Sequence, residues 1–178
     1  MKKLVLKRCL IVLSMCSILV AAGGSAAPPP GDKTLESYLK VFPGVRSIGV
    51  IYSQTSLEPT IRQLESGAKT KNIKVVKVLS PTVKEFPAAV TALKNQVDTL
   101  WVLDDPLYSV QDVWAFFLFF TIRNQIKTIV STEKALKEGG FFYFSEGREV
   151  ILNKRMLDIL GIKVSSLAGA VKFYEPGS

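Results

Sequence analysis

The chain has 178 residues, 48% of them hydrophobic, with a formal net charge of +8 and no histidine. That length suits one domain with a core of its own. The missing histidine excludes Ser-His-Asp and Cys-His catalysis and the usual zinc and copper sites. The only compact acidic cluster is Asp104-Asp105, so the sequence predicts no enzymatic activity, no metal and no cofactor.

Residues 1–27 read as a secretory signal peptide. Lys2, Lys3, Lys7 and Arg8 make a basic start, residues 9–22 an apolar run, and Gly23-Gly24-Ser25-Ala26-Ala27 a cleavable small-residue tail. The expected location is therefore the periplasm, the alternative being a membrane anchor formed by an uncleaved leader. Both cysteines, Cys9 and Cys16, fall in this leader, as do four basic residues and no acidic one. The basic excess outside it drops from eight to four, too mild for a nucleic-acid partner.

Pro28-Pro29-Pro30-Gly31 reads as a stiff linker, and residues 34–42 as a short helix ahead of Pro43-Gly44. The expected domain is 45–178, with 28–44 outside it. Ser47-Ile48-Gly49-Val50-Ile51-Tyr52 is a buried strand. A polar loop over 53–56 follows, with Ser56 placed to cap a helix that has Glu58 and Pro59 in its first turn and Ile61, Leu64 and Ala68 inside. Residues 73–79 alternate valines with Lys74 and Lys77, as a strand near a sheet edge does. A helix over 85–96, a strand over 97–103 ended by Asp104-Asp105-Pro106, and a very apolar helix over 109–124 come next. Residues 128–130 form a fourth strand, 132–137 a short helix, and 141–144 a fifth strand. Such alternation predicts an α/β fold: a three-layer, Rossmann-like parallel sheet with helices on both faces. Ligands of such sheets sit beyond the carboxyl ends of the strands.

Several segments in this order carry a resemblance. Val45-Arg46-Ser47-Ile48-Gly49-Val50-Ile51-Tyr52, then Phe86-Pro87-Ala88-Ala89-Val90 leading to Val97-Asp98-Thr99-Leu100-Trp101-Val102, then Leu103-Asp104-Asp105-Pro106 come first. Lys137-Glu138-Gly139-Gly140-Phe141-Phe142 and the stretch from Glu149-Val150-Ile151-Leu152-Asn153 to Leu160-Gly161-Ile162 complete the set. Together they resemble the second lobe of periplasmic substrate-binding proteins that serve ABC transporters, a class that includes carriers of aromatic amino acids. The resemblance implies one lobe of a periplasmic-binding-protein fold. It also implies a small-molecule ligand, an amino acid being one candidate, and a membrane partner, either an ABC permease or a sensor. It departs from the family in two ways: a linker and one helix stand where the first lobe is expected, and Phe144 runs almost directly into Glu149 where a helix is expected. The tail from Phe141 to Val171 also resembles the end of small periplasmic proteins that restrain membrane-bound diguanylate cyclases. That likeness implies the alternative function, a regulatory interaction protein.

The candidate ligand-binding residues sit at strand ends: Tyr52, Ser53, Asp104, Asp105, Ser131 and Thr132. Asp104 and Asp105 can receive an amino group, or can cap the next helix. Tyr52 can line the cleft or close the strand as a buried residue, and Thr132 with Glu133 also suits a helix start. In the helix over 109–124, Trp114, Phe116, Phe117, Phe119 and Phe120 cover nearly the whole circumference, more than one sheet-facing side requires. The expectation is a protein–protein interface on these aromatics, with a homodimer as one form. The alternative is cover by neighbouring helices.

Overall fold

The structure, a computed structural model, describes residues 31–163, 167 and 169–176. The signal peptide expected over 1–27 lies outside the described residues. Seven strands form one sheet in the order β2-β1-β3-β4-β5-β6-β7. The elements are α1 (Gly31–Val41), β1 (Ser47–Tyr52), α2 (Glu58–Lys69), β2 (Lys74–Leu79), α3 (Phe86–Ala92), β3 (Thr99–Val102) and α4 (Gln111–Arg123). After them come β4 (Lys127–Val130), α5 (Glu133–Lys137), β5 (Phe142–Phe144), β6 (Val150–Asn153), α6 (Lys154–Ile159) and β7 (Val171–Tyr174). The five elements foreseen as strands are all present, and β1 to β5 are parallel.

The last two strands make the sheet mostly, not wholly, parallel. β6 returns antiparallel to β5, with Tyr143 opposite Ile151, and β7 then pairs parallel to β6. No helix separates β5 from β6; a tight turn does, held by Ser145 N–H on the Glu149 carbonyl and Arg148 N–H on the Ser145 carbonyl. These strands have few residues of strong alternation, so the sequence pattern alone did not mark them.

Side-chain alternation divides the core between two layers. Ile48, Val50, Tyr52, Trp101, Ile129 and Phe142 face one way, against Leu35 and Tyr38 of α1, Ile61 and Leu64 of α2 and Met156 and Leu157 of α6. Ile51, Leu100, Val102 and Val130 face the other, against α3, α4 and Leu136 of α5. β1 and β3 are buried almost throughout, as parallel strands covered on both faces must be. β2 is the polar, lysine-bearing edge. Gly49 lets α3 approach: a Cβ there would stand 2.7 Å from Leu100 Cδ2 and 3.0 Å from Leu93 Cδ1.

Three local expectations change. The segment assigned to a linker and short helix outside the domain belongs to the core through α1: Leu35 and Tyr38 are fully buried, and Tyr38 Oη lies 2.8 Å from Thr99 Oγ1. Ser56 does not cap α2; its hydroxyl donates to Gln54 Oε1, and a 3-10 turn over Thr55–Leu57 leads into the helix with Pro59 in the first turn. The helix over 85–96 is shorter, Phe86–Ala92, with Asn95 in the left-handed region behind it.

The largest correction concerns α4. Trp114, Phe117 and Phe120 are buried in this domain's own core and are not available to a partner. Phe117 packs at 5.4 Å from Tyr108 and 5.5 Å from Trp114, centroid to centroid, and Phe86 of α3 lies edge-on to Phe116 at 6.4 Å. The helix is enclosed on three sides: by the sheet, by α3, and by the 3-10 turn at Pro106–Ser109. Phe116 is half-buried, and Phe119 alone of the five is exposed, at 60%, with the Arg123 guanidinium 5.9 Å from its ring.

Candidate functional site

Beyond the carboxyl ends of β3 and β4 lies a cleft of about 460 Å³. One wall is the loop after β3 with the start of α4, the other the loop after β4 with α5. Asp104, Asp105, Ser131, Thr132 and Trp114 border it, together with Tyr108, Ser109, Lys134 and Glu138. Four of the six candidate ligand-binding residues thus come together, and two do not. Tyr52 turns to the opposite layer, where its hydroxyl donates to the Glu58 carboxylate. That carboxylate pushes the Tyr52 phenol up to about 12 and is itself held low by the same bond. Ser53 is consumed behind the cleft.

The reason is a staple between the first and third strands. Ser53 N–H and Ser53 Oγ–H each donate to the Asp105 carboxylate, both at 2.6 Å. The same carboxylate accepts from Leu107 N–H at 2.8 Å, capping the 3-10 turn. Asp105 is 4% exposed and its acceptor positions face inward. Strand order reverses between β1 and β3, where open α/β sheets usually take their ligands. Here the staple closes that crevice, so the open space lies one strand over, between β3 and β4.

Asp104 behaves in the opposite way. Its carboxylate borders the cleft, is exposed, and has no hydrogen bond or ion pair among the described residues. Ser131 Oγ donates to the Val102 carbonyl at 2.8 Å, tying the two loops together. Thr132 caps α5, its Oγ1 accepting from Ala135 N–H at 3.2 Å. Gly139 and Gly140 let the chain turn from α5 into β5. Gly139 has φ +113°, and a Cβ on Gly140 would meet the Ala135 carbonyl at 2.8 Å.

Sequence reasoning missed four wall residues. Tyr108 lies in the 3-10 turn ahead of α4 and donates to the Ile51 carbonyl at 3.2 Å; burial raises its pKa strongly. Ser109 stands beside it. Lys134 and Glu138 share one side of α5 and approach to 3.7 Å; their i,i+4 spacing was the available signal. Trp114, read as an interface residue, is a wall residue whose Nε1–H donates to the Glu138 carbonyl at 3.0 Å.

Residues 24–146 match the family model described as ABC transporter substrate binding protein. The chain belongs to that family. This is a family of substrate binders, not catalysts. Among curated relatives of this substrate-binding family, a tyrosine-binding protein of Clostridioides difficile is 30% identical over 110 residues, 61% of this chain and 31% of the relative. Solved structures share the fold. A ligand-free, open substrate-binding protein with adhesive properties from Clostridium difficile superposes with TM-score 0.69 at 19% identity, over 82% of this chain and 59% of that one. An ABC domain from Streptococcus pneumonia in complex with L-Trp gives 0.67 at 16%, over 82% and 60%. A conserved domain protein of Vibrio cholerae gives 0.69 at 17%, over 82% and 60%. The chain thus spans about a third of its curated relative and about three-fifths of these solved structures.

Proposed function

We propose that this domain is one lobe of an exported solute-binding module, holding a small organic molecule of amino-acid type between β3 and β4. The observation that carries the proposal is Asp104: an exposed carboxylate with no hydrogen bond or ion pair among the described residues, on the cleft at the strand ends where this architecture takes ligands. Membership of the substrate-binding family supports a small-molecule ligand. The tyrosine-binding relative and the neighbour in complex with L-Trp favour an aromatic amino acid. Trp114 and Tyr108 give the cleft an aromatic wall that suits such a side chain.

The leader over 1–27 would deliver the module to the periplasm, and an ABC permease is the membrane partner the family favours. Thermal unfolding of the full chain against a panel of amino acids tests the reading. Tyrosine, phenylalanine or tryptophan at about a hundred times its Kd should add about 2.7 kcal/mol of apparent stability. A melting temperature unmoved by every amino acid at millimolar concentration would refute it.

A further inference from the structure

The side-chain hydrogen-bonding inventory of the cleft wall is one-sided, and this restricts the chemistry of what binds there. Each neutral side-chain donor but one is already spent on a main-chain carbonyl. Ser109 Oγ–H donates to Pro106 at 2.6 Å, Ser131 Oγ–H to Val102 at 2.8 Å, Trp114 Nε1–H to Glu138 at 3.0 Å and Tyr108 Oη–H to Ile51 at 3.2 Å. The exception is Thr132, whose hydroxyl accepts from Ala135 N–H and keeps its proton for a ligand. The one cation on the wall, Lys134, is largely exposed and lies against Glu138 at 3.7 Å. Acceptors, by contrast, remain open: both oxygens of Asp104, a second lone pair on each serine hydroxyl, and the rest of the Glu138 carboxylate.

A ligand entering such a wall must bring donors and is favoured if it brings positive charge. An ammonium group carries three N–H donors and no acceptor, which matches this surplus. Among the side chains of the wall, a carboxylate finds only the Thr132 hydroxyl and the exposed Lys134 ammonium, 3.7 Å from Glu138. Trp114 adds to the preference. Its indole is held by the bond to Glu138 and stacked on Phe117 at 5.5 Å and 23°, and the surface it leaves uncovered borders the cleft. A cation over the face of an indole is further stabilised by the ring's quadrupole.

The geometry points to a cleft that recognises its ligand through an amine, with Asp104 as the specificity-determining residue and Trp114 beside it, and that makes little use of an α-carboxylate. The inference rests on the reading of the cleft as a ligand site and sharpens it. A decarboxylated aromatic amine should bind this chain as well as the parent amino acid does, whereas the corresponding acid without its amine should not.

Three compounds with one indole ring separate the possibilities: tryptamine, L-tryptophan and indole-3-propionate, titrated calorimetrically into the full chain. Tryptamine and L-tryptophan should bind within about threefold of each other, and indole-3-propionate at least about tenfold more weakly, the value of one charge-assisted hydrogen bond. D104N should weaken tryptamine by about tenfold and leave indole-3-propionate unchanged, with the melting temperature of the free protein unmoved. Equal binding of indole-3-propionate and tryptamine, or tryptamine binding indifferent to D104N, would overturn the inference. Binding of L-tryptophan without tryptamine would overturn it while leaving the solute-binding reading intact. Failure of all three would sink both.

Discussion

At the end of β3 two carboxylates follow one another, and the extended backbone of Asp105, with φ −120° and ψ 128°, sends them to opposite sides. Asp105 turns in and accepts three hydrogen bonds from Ser53 and Leu107. Asp104 is exposed and borders the cleft. Identical chemistry thus has different consequences at the two positions. Asp105→Ala removes a cap and leaves the Ser53 N–H without its partner in a half-buried loop, which should destabilise the fold by about 2 kcal/mol. Asp104→Asn should change stability by no more than about 0.5 kcal/mol. Urea unfolding of the two variants checks this; a stable Asp105→Ala protein would mean that the staple holds nothing. In the sequence the pair could be placed at a strand end, but not divided into a structural and a free member. That division depends on Ser53, which is 52 residues away in the chain and becomes a neighbour only through the pairing of β1 with β3.

At the scale of elements, α4 shows where periodicity stops being informative. Its apolar residues surround the axis, and a count of faces against a single sheet leaves some unaccounted for. The count failed because α4 is enclosed by more than the sheet. Phe86 of α3 and Tyr108 of the preceding turn take two further sides, and neither contact is local enough to be visible as a pattern. Strand positions in β1, β3 and β4 were legible because buried parallel strands are short apolar runs, and β2 because its valines alternate with Lys74 and Lys77. β6 and β7 were not, since six of their eight residues are at least partly exposed and their pairing is fixed by a turn and a crossover. The two classes of aromatic in α4 make a sharp contrast. Phe117→Ala should cost about 3–5 kcal/mol through the cavity it leaves. Phe119→Ser should cost about 0.5 kcal/mol, the value of an exposed ring with an arginine over it. Circular-dichroism melts should separate the two by more than 10 °C, and equal losses would return Phe119 to the core or to an interface.

At the scale of the whole molecule, the layers on the two faces have different tasks. The layer with α1, α2 and α6 is stability: the fully buried Tyr38, its bond to Thr99, and its edge-on packing at 4.9 Å from Phe142 fasten the N-terminal helix across the sheet. The opposite layer supplies the wall of the cleft through α4 and α5. Fold class, and the end of the sheet on which the cleft opens, were therefore readable from the order of elements, since the carboxyl ends of a parallel sheet are where its loops converge. Which crevice stays open was not readable, because the Ser53–Asp105 staple decides it. The central claim is that ligand enters between β3 and β4. The most direct measurement is a two-dimensional amide and indole NMR titration of the full chain with L-tryptophan. The predicted result is saturable shifts confined to Asp104, Ser131, Thr132, Lys134 and the Trp114 indole N–H, with Tyr52 and Ser53 unmoved. Shifts centred on the loop after β1, or none at all at millimolar ligand, would contradict it.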